Sequence, residues 1–436
     1  MSSQDFVENI FYYGVNITDK LYLVSSESNC VPANDQLDIE LKNKQISYSN
    51  FSAAGLTRYL SGDKIDLNEL FNTINEYIEK YIYFTDKRMP RLITIWIMAT
   101  YVYRIFDNFG YLWITGEKQS GKTELIDIIQ PIAFNGISTV SISVSSLFRI
   151  IENDGVTLLI DEFERMSKYD KEKYGELMSI LNSGYKKNAT VIRSEKYKNS
   201  FKPTMYSTYS PKLFSGINKI DDVLNDRSIK IKLLKKPASV NLPRRRLREL
   251  QPRLSGIRDN LYIFGLTYAK ELLEILNNFE TLIPVPAFIN NRELDIWESL
   301  LSIAYLINHQ SDNSKLMTYM IEFAELCYKE KIDYNLTENE TIKLLKVLNA
   351  YRSENEADIL EEKLSYYIAN KLFEFFKDSE EYSWMEKRNS LTKLLREKLE
   401  IRIKQIRHKG DREFYYIVDN TKMDNYFESY KEQIFD

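Results

Sequence analysis

Residues Gly116–Thr123 read Gly-Glu-Lys-Gln-Ser-Gly-Lys-Thr, and no other stretch constrains the fold as tightly. The octet satisfies G-x-x-x-x-G-K-[ST] at every fixed position. An apolar, β-prone run, Tyr111–Thr115, precedes it, and Leu125, Ile126, Ile128 and Ile129 follow at helical spacing. Strand, glycine loop and helix in that order separate a working phosphate loop from a chance match. Gly116 and Gly121 let the backbone wrap an anion with successive N–H groups pointing inward. The helix that begins near Lys122 adds its positive dipole end beneath the same site. All eight residues, Gly116, Glu117, Lys118, Gln119, Ser120, Gly121, Lys122 and Thr123, are therefore expected to cradle a nucleoside polyphosphate such as ATP. Lys122 would reach the β- and γ-phosphates, and the Thr123 hydroxyl would take one place on Mg²⁺. The competing reading, a turn that caps an ordinary helix, leaves the strand in front unexplained.

A second acidic element meets the needs of the first. Thr157-Leu158-Leu159-Ile160-Asp161-Glu162 is a buried-strand run ending in two carboxylates. Asp161 is expected to hold the metal, and Glu162 to orient or deprotonate an attacking water. Alone, such a run is commonly a core strand entering a solvated turn. Downstream of a full phosphate loop, it completes a hydrolytic pair.

Composition excludes other chemistries. With two cysteines far apart (Cys30, Cys327) and two histidines (His309, His408), a disulfide scaffold, a zinc module and a Ser-His-Asp hydrolase all lack their parts. The net charge of −4 confines any nucleic-acid contact to local patches. No basic-then-apolar leader opens the sequence, and Leu92–Tyr103 is too short to span a bilayer. The expectation is a soluble, intracellular (cytoplasmic) protein without membrane contact, with 436 residues giving room for two to four domains.

Along the chain, residues 1–62 read as an α+β lead-in with alternating patches at Leu37–Leu41 and Gln45–Tyr48. Helices are expected over Leu67–Phe84 and Arg91–Phe106. From Tyr111 to Leu234 strands and helices alternate, as a largely parallel α/β sheet requires. The strands are placed at Tyr111–Thr115, Thr139–Val144, Thr157–Ile160, Thr204–Thr208 and Ser228–Leu234, with helices from Ser145 and over Lys171–Leu181.

This order resembles AAA+ ATPases, and within them looks most like the superfamily 3-type helicase domains of plasmid, phage and viral replication proteins. It is also similar to an uncharacterised ATPase family found beside primases. The resemblance rests on the two motifs above, on Leu181–Tyr185, Ser210–Ile217 and Leu224–Ile229, and on Asn291–Leu301 (Asn-Arg-Glu-Leu-Asp-Ile-Trp-Glu-Ser-Leu-Leu). It covers about Arg91 to Ile307. It implies an AAA+ P-loop ATPase core with a five-stranded mostly parallel sheet, a helical lid and a C-terminal winged-helix-like domain. The corresponding segments are 1–62, a helical extension 63–110, the core 111–236, the lid and its extension 237–378, and the winged-helix-like domain 379–436.

The resemblance also assigns roles. Arg227, just before the fifth strand, would reach the γ-phosphate of a neighbouring copy as a catalytic residue beside Lys122 and Glu162. The active unit would then be a homo-oligomer, by family a hexamer, with a primase or another replication protein as a possible partner. The competing reading of Arg227 is a local ion pair with Asp226. Related helicases end their fourth strand in Ser-Thr-Asn, whereas this chain has Ser207-Thr208-Tyr209, so water positioning passes to Thr208 or Ser210. The insertion between Gly184 and Pro203 is similar to a hairpin that grips DNA. It carries Lys186, Lys187, Arg193, Lys196 and Lys198 among aromatics, a mixture that suits phosphates and stacked bases.

An arginine cluster, Arg244 to Arg258, follows the fifth strand and reads either as a contact to nucleotide or DNA or as an ion-paired face. Near the C-terminus, a helix at Ser390–Leu399 and two strands around Lys409-Gly410 give the winged-helix outline. From Leu391 to Arg412 eight basic residues face three acidic ones, which nominates Lys404, Arg407 and Lys409 for nucleic acid. Three activities stay open at this point. The first is a ring-forming DNA helicase or translocase of a mobile element. The second is an ATP-switched regulatory or remodelling ATPase with a DNA- or protein-binding wing. The third, a nucleotide kinase, lacks an evident acceptor lid.

Overall fold

Consecutive residues of the run Tyr111–Thr115 enter different cores, which is why the whole run is apolar. Tyr111 and Trp113 pack on one side with Leu158, Ile160 and Phe214. Leu112 and Ile114 pack on the other with Leu159, Leu213, Ile229 and Ile231. A sheet covered on both faces needs such continuous apolar strands. The computed structural model describes residues 4–17, 20–32, 51–168, 171–197, 200–217, 220–310, 315–338 and 340–431. The sheet consists of β1 (Tyr111–Thr115), β2 (Gly136–Thr139), β3 (Thr157–Ile160), β4 (Lys212–Gly216) and β5 (Ser228–Lys232). All neighbours are parallel, in the order β5-β1-β4-β3-β2. From β1 the chain crosses to the far edge, returns through β3 and β4 to β1's side, then adds β5 beyond. This reversal beside β1 leaves a crevice at the carboxyl ends of the strands, where α/β sheets bind ligands.

Helices connect the strands: α1 (Lys122–Ile129), α2 (Val144–Asp154), α3 (Lys171–Ser183) and the short α4 (Asp222–Asp226). Two placements differ from the sequence reading. The second strand ends at Thr139, and the polar run after it is used for capping: Ser143 accepts a hydrogen bond from the Ser146 N–H at 3.1 Å and starts α2. The run Thr204–Thr208 is not a strand of the central sheet. Its residues to Ser207 form the return leg (Ser200–Ser207) of a two-stranded hairpin with Thr190–Tyr197. The fourth strand begins after Pro211, at Lys212, a residue whose charge hides the strand from a pattern search.

The molecule divides into two units, Met1–Cys327 and Tyr328–Asp436. In the first, Gln4–Val7, Ile10–Ile17, Lys20–Ser25 and Cys30–Pro32 make an antiparallel meander. Its Phe11 and Tyr13 share one core with helices Leu67–Tyr81 and Arg88–Thr100, the long α5 (Leu247–Asn277) and α6 (Asn291–Gln310). The Tyr101 hydroxyl donates to the Ile132 carbonyl at 3.1 Å, tying these helices to the segment after α1. The patches at Leu37–Leu41 and Gln45–Tyr48 lie outside the described residues.

The second unit has an antiparallel sheet in the order Ile359–Leu360, Leu364–Ile368, Asp411–Asp419, Arg402–His408. Helix Arg388–Leu399 precedes the last hairpin and buries Leu391, Leu395 and Leu399. Lys409 and Gly410, both at positive φ (49° and 100°), turn that hairpin. The helix-then-hairpin outline read from the sequence is present.

Candidate active site

The loop after β1 has the backbone that its glycines permit. Gly121 has φ 96° and opens α1, a conformation that costs a residue with a Cβ about 1 kcal/mol or more. At Gly116 a Cβ would fall 2.3 Å from the Leu233 carbonyl oxygen, so the chain after β5 presses directly on the loop. Lys122 Nζ donates to the carbonyls of Gly116 at 2.7 Å and Glu117 at 2.8 Å. Burial pushes the ammonium below its ordinary pKa, while Glu164 and Asp161 pull in the opposite direction.

Asp161, at the end of β3, is buried and held on both oxygens. Oδ2 accepts from Thr123 Oγ1 at 2.7 Å. Oδ1 accepts from the Glu162 N–H at 2.9 Å and from the Ser215 hydroxyl. Thr123 and Asp161, both expected from their motifs to hold the cation, are brought together by the fold. Ser215, missed in the sequence, is the penultimate residue of β4, which lies between the phosphate-loop strand and the Asp161 strand. The signal was in the motif Leu213-Phe214-Ser215-Gly216, a polar residue ending an apolar run, as in Thr157–Asp161.

Thr208 and Ser210 do not belong to this site. In the β4–β1 register Leu213 stands opposite Leu112, so both residues precede the strand at its amino end, away from the loop. They are buried there, Thr208 Oγ1 donating to the Ala189 carbonyl at 3.2 Å. Glu162 has φ 52°, and its carboxylate is ion-paired with Arg165 at 2.9 Å. Glu164, on the following 3-10 turn (Phe163–Lys168), was also missed. A Cβ on Gly216 would lie 2.5 Å from Glu164 Oε2, which puts that carboxylate beside the end of β4.

The residues fit a nucleoside triphosphate with Mg²⁺. Thr123 and Asp161 offer hard oxygen donors, which suit this cation. Ser120 Oγ is buried in the loop with no hydrogen-bond partner among the described residues. The chain after β5 is stapled to α1: the Arg245 side chain, 8% exposed, pairs with Glu124 at 2.7 Å and Asp127 at 3.2 Å. Arg258 donates to the Pro131 carbonyl at 3.1 Å, and Arg246 pairs with Glu249 at 3.1 Å. Three members of the arginine cluster thus have protein partners.

Arg227 stands at the other end of the sheet. Its carbonyl accepts the Tyr111 N–H at 3.1 Å, so it sits at the amino ends of β1 and β5. One five-residue strand, about 15 Å at 3.3 Å per residue, separates it from the phosphate loop of its own chain. Its guanidinium lies 5.1 Å from the Tyr185 ring centroid. Asp226 pairs with Arg292 at 3.1 Å, which disfavours the reading of Arg227 as half of a local pair with its neighbour.

The hairpin differs in character from its sequence. Arg193 is turned toward the body, paired with Glu176 and lying 5.4 Å from the Phe148 ring centroid. Lys186 lies over the Tyr185 ring at 5.5 Å and 4.0 Å from Asp295, and the Lys187 N–H donates to the Asp107 carbonyl at 2.8 Å. The outward face carries Ile192 (62% exposed), Lys196, Phe201 (75%) and Met205 (62%), with Ile192 opposite Met205 and Lys196 opposite Phe201. Lys198 lies outside the described residues. In the second unit Lys404, Arg407 and Lys409 are all exposed, Lys404 and Arg407 on opposite faces of their strand.

Fold and site thus define a mixed α/β protein whose parallel sheet carries a phosphate loop and an acidic strand end. No family model matches the sequence, and no curated protein does. Among solved structures it is similar to a full-length MCM homolog from Methanopyrus kandleri, at 8% identity and TM-score 0.39 over 73% of this chain and 74% of that one. It is also similar to the C-terminal region of NrS-1, at 12% identity and TM-score 0.36 over 96% and 83%. A third similarity is to JCV helicase, at 11% identity and TM-score 0.26 over 61% and 66%. Scores this low carry no functional argument, which rests on the site's own geometry. Among the described residues no helix is long and apolar enough to cross a membrane.

Proposed function

We propose that this chain is a Mg²⁺-dependent ATPase that works as a ring of identical copies, sixfold in the family it resembles, and moves along a DNA strand. The observation that carries the hydrolytic part is the hydrogen-bonded line Thr123–Asp161–Ser215 beside Lys122. Thr123 and Asp161 would hold the cation, which when bound neutralises phosphate charge. The N–H groups from Gly116 to Thr123 and the Lys122 ammonium bind and orient the phosphates. Ser215 keeps Asp161 aimed at Thr123. Glu162, released from Arg165, takes the proton of the attacking water.

The place of Arg227 supports a shared site. About 15 Å from its own loop, it can stabilise transition-state charge only on a nucleotide held by another copy. The exposed hairpin face, with Phe201 for stacking and Lys196 for phosphate, supports contact with a single strand. The basic hairpin with Lys404, Arg407 and Lys409 supplies a second contact. A replication partner such as a primase fits the same reading.

The test is steady-state ATP hydrolysis with and without single- and double-stranded DNA, on the wild type and on Glu162→Gln. Strong stimulation by DNA that is lost in the variant supports the motor. Slow hydrolysis by a monomer, indifferent to DNA, overturns it and leaves the ATP-switched regulator.

A further inference from the structure

Arg227 lacks the carboxylate partner that several arginines around the sheet have. Arg149, Arg165, Arg193 and Arg245 each have a carboxylate partner. Among the described residues Arg227 has none: Nη1 donates to the Val223 carbonyl at 2.7 Å, and Nε is buried without a hydrogen-bond partner. Yet the residue before it is an aspartate. That carboxylate is taken by Arg292, the second residue of α6, whose Nε is 3.1 Å from Asp226 Oδ2. Arg292 also reaches Asp295 at 3.5 Å and donates to the Tyr185 hydroxyl. Its guanidinium lies 5.2 Å from the Tyr185 centroid, against 5.1 Å for Arg227. Two guanidiniums therefore share one ring, and the adjacent carboxylate belongs to the one that is not Arg227.

We propose that Arg292 is a positioning residue for Arg227. By holding Asp226 and Tyr185 it keeps the neighbouring carboxylate off Arg227, whose guanidinium fork stays open for an anion, the terminal phosphate of a nucleotide bound to a second copy of this chain. The inference rests on the shared-site reading above. The physical ground is competition. A guanidinium binds carboxylate and phosphate oxygens through the same two-pronged geometry. If Arg292 is lost, Arg227 becomes the cation that Asp226 can pair with, and that pair must break before Arg227 can serve a phosphate.

The experiment measures ATP hydrolysis by the full chain. Arg292→Gln is expected to lower kcat about fivefold, with KM for ATP changed less than about twofold, the upper size of one partly exposed ion pair that must open. The double variant Asp226→Asn/Arg292→Gln is expected to recover to within about twofold of wild type, since the competing charge is gone. A double variant as slow as the single one overturns the proposal, because Arg292 would then touch the phosphate itself or act only through packing. A single variant with unchanged kcat, or with KM alone altered, overturns it as well. If Arg292→Gln does not fold, Arg292→Met replaces it with the same comparison, because methionine keeps much of the apolar stem and removes the charge that holds Asp226. A separate measurement isolates the underlying reading: inactive Arg227→Ala and inactive Lys122→Ala are mixed, and regained hydrolysis establishes the shared site whatever Arg292 does. No regain there sinks the shared site, and with it the role of Arg292.

Discussion

The two ends of the central sheet handle charge in opposite ways. At the carboxyl ends a buried carboxylate is held by three donors: Asp161 accepts from the Thr123 and Ser215 hydroxyls and the Glu162 N–H. At the amino ends Asp226 and Asp295 pair with Arg292, but two cations beside them have no carboxylate among the described residues. Arg227 has a ring and a carbonyl but no carboxylate among the described residues. Lys212, fully buried, has three carbonyls, from Thr208 at 2.9 Å, Ser210 at 3.0 Å and Gly184 at 3.1 Å. Burial pushes its ammonium well below the ordinary lysine pKa, and the three dipoles offset part of that. Glu298 lies near this end, with a pKa pushed up to about 7 by burial first, then by Asp107 and Asp295. The carboxyl-end carboxylate finds its partners within the chain, and the shared-site proposal gives the bare guanidinium at the amino end a use.

Five measurements bear on that contrast. Arg227→Ala should cost on the order of 10³ in kcat while nucleotide binding to the same chain, read by fluorescence titration, stays within about twofold. Equal loss of binding would mean that Arg227 serves its own chain. Glu162→Gln should slow hydrolysis about 10²-fold and leave binding intact. Hydrolysis at the wild-type rate would move the base role to Glu164. Lys212→Met strips the donor from three buried carbonyls and should destabilise the fold by about 3 kcal/mol, seen as a lower urea midpoint. If the midpoint does not move, the amino end is less closed to water than its burial implies.

Ser215→Ala should reduce kcat roughly tenfold, and Thr208→Val, in the segment that precedes that strand, should leave it unchanged. The reverse result would restore the assignment made from sequence. The smallest effect is that of pH on Glu298. Its folded pKa of about 7 exceeds the ordinary 4.5, so the folded state holds the extra proton. Stability is therefore full below about pH 4.5 and falls as pH rises through 7. Glu298→Gln should raise stability by about 1 kcal/mol at pH 8, after discount for partial exposure, and by nothing at pH 4. Melting curves at the two pH values read the difference.

The carboxyl-end site was legible because its parts are contiguous in sequence. An eight-residue loop and a six-residue strand end each carry their own context. What failed was the chemistry that depends on which strand comes fourth. The run Thr204–Thr208 is β-branched and aromatic enough for a core strand, but it pairs with Thr190–Tyr197 instead. The true β4 opens on Lys212, whose burial no periodicity discloses, and so Ser215 was overlooked while Thr208 and Ser210 were chosen. In the hairpin the alternation of charge and apolar residues was visible. Which side faces out was not, because Arg193 finds Glu176 only once α3 is packed beside it. Arg292 was quoted within a motif and given no role, since its partners Asp226 and Tyr185 lie 66 and 107 positions away.

Gly184 and Tyr185 are neighbours, and this small fact about the chain has a mechanical meaning. The Gly184 carbonyl is one of three clasped by Lys212, and the other two, from Thr208 and Ser210, come just after the hairpin's return leg. The chain entering the insertion and the chain leaving it are thus fastened together at the root. Tyr185, the next residue, is the bearing surface under Arg227. If a neighbouring copy draws on Arg227, the pull arrives one residue from that fastening. On the shared-site proposal, the root of the hairpin is then the first part of it that such a pull would load.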